Sequence, residues 1–482
     1  MSTFFKFSVV EIEGQLSLER PASAKGNRNI IKSCLLASSL LGLSIPVYGA
    51  GFGIEQGVNN LASAGAGGSA IAEDAATVFS NPAGMARLKG TQVLFGANII
   101  MPSIKFEDGG SFINPAFTGG AAVPGSLTGN NGGDGGETVI TPEIYITHEY
   151  NDKIHLGLGI NVPFGLTSDY DDQWVGRYHG VRSELVNINI NPSLSYKLTP
   201  KLAMGIGLSA QYADLKSFSN AVDSGGVCIG ALGAAGCIAA AGAAGIPVPM
   251  VADPATDSQV NLEGDDWGYG YNIGFLYMPS KVTRFGISYR SKIEFTIAGK
   301  ADYSGPLVAL GIVSDTGAKI DLTVPESLSL SAFQDLNDSW SLMGDITWTK
   351  WEHVDTLVVK FENGAPDSVV PMNWDNTFRV SVGLSYKYNK KWTIRSGIAF
   401  DESAISHADD RSPRIPDSDR WWVATGFSYN FKDSLSFDLR YSHLFFKDAR
   451  TNQTEPTTGH TLVGDFDVDV DIISGQLRWT FQ

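Results

Sequence analysis

Residues 50–90 read AGFGIEQGVNNLASAGAGGSAIAEDAATVFSNPAGMARLKG. The stretch is rich in Gly and Ala and poor in strand formers. It carries Asn81-Pro82-Ala83, and Asn-Pro favours turn initiation. An apolar leader precedes it, and residues 91–482 follow as a long run of alternating strands. A compact segment ahead of an all-β run predicts a plug, or hatch, over 50–90 inside a barrel over 91–482.

Period-two alternation carries the barrel prediction. Ile154, Leu156, Leu158, Ile160 and Val162 alternate with Lys153, His155, Gly157, Gly159 and Asn161. Leu435, Phe437, Leu439 and Tyr441 alternate with Ser436, Asp438, Arg440 and Ser442. Such runs number about fourteen. Their connections alternate in length. Short turns fall at Asn151-Asp152, Thr199-Pro200, Pro279-Ser280, Asn337-Asp338, Asn389-Lys390 and Lys432-Asp433. Long loops fall near 108–137, 163–182, 219–261, 300–317, 352–373, 403–418 and 448–463. An even strand number with short turns at one end and long loops at the other is the pattern of an outer-membrane barrel. The final strand alternates Ile473, Leu477, Trp479 and Phe481 with Ser474, Gln476, Arg478 and Thr480. Upstream, Asp465, Asp467, Asp469 and Asp471 take the opposite parity to Phe466, Val468 and Val470. That change near Ile472 predicts either a bulge or a strand leaving the bilayer there.

The leader sets the compartment. Lys25, Arg28 and Lys32 form a basic region, and Cys34 to Val47 an apolar one. Val47 and Gly49 are small enough for a cleavage site, so residues 1–49 read as a signal peptide with its core at 25–49. Residues 1–24 are an extended leader or precede the true start. Removing 1–49 takes away five Lys/Arg and three acids, so the net charge of −16 becomes −18. That balance argues against nucleic-acid binding. No apolar run beyond the leader is long enough for a helical span. Cys228 and Cys237 lie in one Gly/Ala-rich loop with eight residues between them. In an oxidising compartment they can form a local disulfide or stay as two thiols. They lack the further His or Cys partners of a metal site, and no cofactor is predicted.

The chain resembles the outer-membrane long-chain fatty acid transporter family, the FadL type, which includes aromatic-hydrocarbon channels. The resemblance spans the whole mature chain. It is carried by GFGIEQG at 51–57, AIAEDAATVFSNPAGM at 70–85, WGYGYNIGFLY at 267–277, RFGISYRSKIEF at 284–295, VPES at 324–327, SGIAFDES at 396–403 and IPDSDRWW at 415–422. It implies a fourteen-stranded monomeric barrel in the outer membrane of a Gram-negative cell, closed by an N-terminal hatch. It also implies passive uptake. A hydrophobic ligand docks on apolar extracellular loops, passes to an internal pocket, and leaves sideways through a gap where the third strand kinks inward.

On that resemblance, Asn81, Pro82 and Ala83 form the hatch turn and Phe52 reaches the pocket. Pro163 sits in the third strand, 153–166, with Gly157, Gly159 and Gly165. Proline removes a ladder donor and belongs at an edge or bulge, so the wall gap is expected here. Ile229, Leu232 and Ile238, with Leu307, Val308 and Leu310, supply an apolar surface on two long loops. Such a surface marks a docking site, or the two loops pack on each other as a lid. Fatty-acid-transporting members hold the carboxylate with a basic pair. This chain has Ser219 and Val370 at those positions. Arg379, Arg395 and Arg440 project to the lumen and are candidate carboxylate anchors, or are ion-paired with lumen acids such as Asp438. The missing pair also leaves room for a neutral aromatic or alkane ligand.

Two other classes are weighed. A lipid-hydrolysing enzyme needs a Ser/His pair on the wall, and no G-x-S-x-G, H-E-x-x-H or phosphate-loop motif occurs. A structural or adhesin barrel needs neither a hatch nor an apolar loop groove. The predicted partners are a hydrophobic small molecule and outer-membrane lipid.

Overall fold

The computed structural model describes residues 60–114 and 125–481. The signal peptide and Phe52 lie outside them. Fourteen antiparallel strands form the wall. The first six are β1 (Thr91–Asp108), β2 (Val139–Glu149), β3 (Ile154–Asp169), β4 (Arg182–Thr199), β5 (Leu202–Val222) and β6 (Ser258–Tyr277). The next four are each broken once. They are β7 (Thr283–Arg290, then Ile293–Ser304), β8 (Thr316–Val324, then Ser327–Asp335), β9 (Trp340–Thr349, then Thr356–Phe361) and β10 (Ser368–Pro371, then Thr377–Lys387). The last four are β11 (Trp392–Asp401), β12 (Arg420–Lys432), β13 (Leu435–Phe446) and β14 (His460–Phe481). Thr91 faces Phe481 on one side and His148 on the other, so β1 closes the barrel against β14 and β2.

All six expected short turns link consecutive strands. Three of them repeat one device: Asn151 Oδ1 accepts from the amides of Lys153 and Ile154, Asn337 Oδ1 from those of Ser339 and Trp340, and Asn389 Oδ1 from those of Lys391 and Trp392. An Asn side chain standing in for a backbone acceptor is what such a turn requires. At the other end the strands run further than expected. β3 continues to Asp169, and β5 and β6 reach Val222 and Ser258, which shortens the loops there.

A band of apolar side chains faces outward, among them Leu208, Ile287, Val382, Ile398, Val423 and Leu477, each at least 46% exposed. In water such a surface would be costly. Facing hydrocarbon, it is the stable arrangement. Aromatic residues edge the band: Tyr150, Trp340, Tyr388 and Trp479 at the short-turn end, and Trp267, Tyr269 and Trp421 at the long-loop end.

The parity change in β14 is not a bulge. β14 pairs with β1 without a register shift from Phe481 to Gly464. Asp465, Asp467, Asp469 and Asp471 therefore point outward on the same side as Ile473, Leu477 and Trp479. Phe466, Val468, Val470 and Ile472 point inward and are buried. What changes is the surroundings. Within the bilayer the outside is lipid and takes the apolar residues. Beyond it the outside is water, so acids turn outward and apolar residues turn in. β6 does the same, with Val260 and Leu262 inward and Trp267, Tyr269 and Phe275 outward. The long-loop end of the barrel thus acquires an apolar interior.

Candidate functional site

The described part of the expected hatch, 60–90, is largely buried against inward-facing wall residues, with Ala83 beside Gly205, Ser69 beside Gly286 and Ser63 beside Gly397. Its α1 (Thr77–Ser80) runs into a 3₁₀ turn, Pro82–Arg87, through Asn81. Pro82 suits the first position of that turn, where no amide partner exists. Asn81 is fully buried. Its Oδ1 accepts from the Ala83 amide at 3.0 Å, and its Nδ2 donates to Ser69 O at 2.7 Å and to Phe275 O of β6 at 3.1 Å. Other ties surround it. Ser195 Oγ donates to Ala83 O, Ser69 N donates to Ser331 Oγ, and the Arg290 guanidinium donates to Phe79 O. Gly157 and Gly159 of β3 belong to this packing. A Cβ at Gly157 would lie 2.4 Å from Met85 Sδ and 2.7 Å from Val78, so a side chain there would push the hatch away.

The three candidate anchor arginines face the hatch. Arg395 pairs with Glu73 at 2.6 Å, and Arg440 lies 3.5 Å from Asp438 and also reaches Gln476. The Arg379 guanidinium lies against Gly65. They line small polar spaces of about 40 and 80 Å³ around the hatch, together with Glu73, Asp74 and Asp345. None of them lines the apolar cavity described next.

That cavity lies at the long-loop end and has a volume of about 540 Å³. Leu166, Leu185, Leu215, Phe218, Leu262 and Ile320 wall it. Ligand pockets span roughly 300–1,000 Å³ and are mostly apolar with a few polar groups. Val370 lines the cavity and adds no charge. The Ser219 carbonyl instead accepts from Arg414, whose side chain lines the cavity from the 402–419 connection. Arg414 was not singled out in the sequence, because it sits in an irregular loop where no periodicity assigns a side.

The lid over the cavity is built by two loops. Segment α2 (Ser224–Ala244) is broken at Gly233, which takes φ 71° and ψ 162°. Nine residues of straight helix would span roughly 13.5 Å, yet the Cys228 and Cys237 Cα atoms are 5.7 Å apart and their sulfurs are bonded. At 21 residues the segment is long and apolar enough to cross a membrane by length and composition, which corrects the expectation that no such run follows the leader, but the bond folds it back into a helical hairpin that does not cross as one helix. Leu307, in α3 (Pro306–Ala309), is fully buried against that disulfide, with Leu310 packed beside it. These two are lid-packing residues, which corrects the expectation that Leu307 and Leu310 offer a docking surface. Ile229, Leu232, Ile238 and Val308 remain at least 38% exposed on the outer face. The lid and the exposed apolar face therefore coexist.

The wall is interrupted beside β3. β2 pairs with β1 as far as Val139, but with β3 only from Ile144 to Glu149. Pairing of β3 with β4 skips between Asn161 and Phe164, at Val162-Pro163. From Asn161 to Ser168 every residue is buried and the alternation is lost, Gly165 included. The strand has turned inward, so Val139–Glu143 of β2 has no ladder partner on that side. Ser168 of β3 instead bridges to Gly136, in the segment ahead of β2.

Residues 42–481 match the family described as outer membrane protein transport protein (OMPP1/FadL/TodX). An outer membrane protein of Neisseria meningitidis serogroup B is 30% identical over 473 residues, covering 93% of this chain and 98% of that one. The long-chain fatty acid transport protein of Escherichia coli K12 is 27% identical, covering 88% and 94%. The crystal structure of a Pseudomonas aeruginosa FadL homologue superposes with a TM-score of 0.77 at 25% identity, covering 90% of this chain and 100% of that one. With its hatch, its lipid-facing band and its apolar loop cavity, the chain belongs to the OMPP1/FadL/TodX family of outer membrane transport proteins.

Proposed function

We propose that this protein is a passive outer-membrane channel for long-chain fatty acids. The apolar cavity carries the reading: it sits above a hatch that blocks axial passage, and the break in the wall lies beside β3. Holding a sixteen-carbon chain in water costs roughly 0.8 kcal/mol per CH₂, on the order of 10 kcal/mol in all. A water-filled pore imposes that cost, and an apolar relay with a lateral exit avoids it.

In this reading Ile229, Leu232, Ile238 and Val308 receive the ligand, and the cavity stores it. Phe52 takes part in the gating. Movement of the Asn81-Pro82-Ala83 turn opens a path to the gap framed by Gly157, Gly159, Pro163 and Gly165. The channel works as a monomer and performs no covalent chemistry. A neutral monoaromatic or alkane ligand is the second reading, favoured by Ser219 and Val370 standing where a basic pair would be. Titration of the purified barrel with oleate and toluene tests both. Saturable oleate binding that weakens on Phe52→Ala supports fatty-acid uptake. Toluene binding without oleate binding transfers the assignment to hydrocarbons, and binding of neither removes the transport reading.

A further inference from the structure

Arg414 is the one Lys or Arg among the described residues that line the apolar cavity. It is 7% exposed. Its guanidinium stacks over the Phe218 ring at 3.6 Å. One terminal nitrogen donates to Arg182 O at 2.9 Å and Ser183 Oγ at 2.8 Å, and the other to Ser219 O at 2.8 Å. All three acceptors are neutral. A guanidinium has five N–H donors, so two remain beyond these contacts.

Arg411, in the same connection, is equally buried and likewise donates only to backbone carbonyls, but it does not line the cavity. Other arginines nearby are ion-paired. Arg177 pairs with Asp257 at 2.7 Å, Arg182 with Asp169 at 2.8 Å, and Arg420 with Asp401 at 2.8 Å. Among the described residues no carboxylate lies within ion-pair distance of Arg414. Burial pushes its guanidinium down to about 9, still protonated at neutral pH. A buried cation without a counter-ion is costly, because neutral acceptors offset only part of the lost hydration. That cost falls when an anion enters the same low-dielectric space. A planar guanidinium matches a carboxylate better than any other basic side chain. The apolar wall of Leu185, Leu215, Leu262 and Ile320 then suits the hydrocarbon tail of the same molecule.

We propose that Arg414 anchors the head group in this cavity, selecting long-chain monocarboxylates over neutral molecules of the same length. The inference rests on the uptake reading above and names the group that sets its specificity. The test compares oleate with oleyl alcohol, which shares the chain and lacks the charge, on the full-length purified barrel by isothermal titration. Wild-type protein prefers oleate, and Arg414→Met weakens oleate by about 10- to 100-fold while leaving oleyl alcohol unchanged. Equal wild-type affinities, or unaltered oleate binding in Arg414→Met, overturn the proposal while leaving uptake intact. Wild-type binding of neither ligand defeats the uptake reading and this proposal with it. Arg414 also ties its loop to β4 and β5, so Arg414→Met can lose both ligands through collapse of the cavity. In that case Arg414→Lys decides. A retained preference for oleate supports the anchor. Equal affinities, or no binding, assign Arg414 to loop packing alone and overturn it.

Discussion

Replacing Asn81 by Ala tests how the hatch is held. The substitution removes three hydrogen bonds, to the Ala83 amide and to the carbonyls of Ser69 and Phe275, all at a position with no solvent exposure. Each such bond contributes about 1 kcal/mol net, so the loss is about 3 kcal/mol. None of the three belongs to the wall's backbone ladder, so the barrel folds as before. The loss falls on local opening of the hatch, whose open population rises about a hundredfold, since 1.4 kcal/mol is a factor of ten. Hydrogen-exchange mass spectrometry of peptides covering 69–83 reads that population, and planar-bilayer conductance reads its consequence. Faster exchange confined to the hatch, with heat-modifiable gel mobility unchanged, is the expected result. Unchanged exchange and conductance in Asn81→Ala would refute the reasoning, because the side chain would then hold nothing that Arg290, Ser195 and Ser331 do not already hold.

Three further expectations follow from other parts of the molecule. Reducing the Cys228–Cys237 bond, or Cys237→Ser, frees a closed loop of about ten residues worth roughly 2.5–3 kcal/mol; proteolysis between 224 and 250 should accelerate and oleate affinity fall, and unaltered proteolysis would show that Leu307 packing alone holds the lid. Gly157→Leu drives a side chain into Met85 and Val78 at an overpacking cost of about 1–3 kcal/mol, so hatch exchange should rise and uptake fall; normal uptake would show that the hatch has slack beside β3. His179, in the loop after β3, is held neutral down to about 3 by burial, with His460 opposing its charge further. Its stabilisation is complete above the ordinary value near 6.5 and is lost as pH falls toward 3, at up to about 1.4 kcal/mol per pH unit. Fluorescence of buried Trp174, whose Nε1 donates to Gly180 O in the same loop, should report loosening between pH 6.5 and 4.5. Loss of that transition in His179→Gln is expected, and its persistence would assign it to another group.

Alternation, turn chemistry and loop sorting make the wall legible in the sequence, because a strand in lipid has only two faces and each must suit its solvent. That is why the number of wall strands and all six short turns fall where the residues indicate. The hatch was legible for a related reason: small residues and an Asn-Pro turn cannot supply an outward band. Other features depend on contacts between segments distant in the chain. The parity change near Ile472 leaves a bulge and an exit from the bilayer both open, and only the unbroken pairing of β14 with β1 decides for the exit, because register is a property of two strands. The hairpin in α2 needs Gly233 and the disulfide together, and neither the length nor the apolar composition of 224–244 specifies it. The anchor candidates Arg379, Arg395 and Arg440 had the right parity, but parity gives a side and not a height, and at their height the lumen is filled by the hatch acids. Arg414 has no parity at all. It comes from an irregular connection more than two hundred residues from β4 in sequence, and only closure of the barrel sets it over Phe218. The sequence by itself therefore determined which faces meet lipid, through a local period-two rule. The tertiary structure decided which charges meet one another and which one meets the apolar cavity, because burial and pairing are properties of the closed barrel.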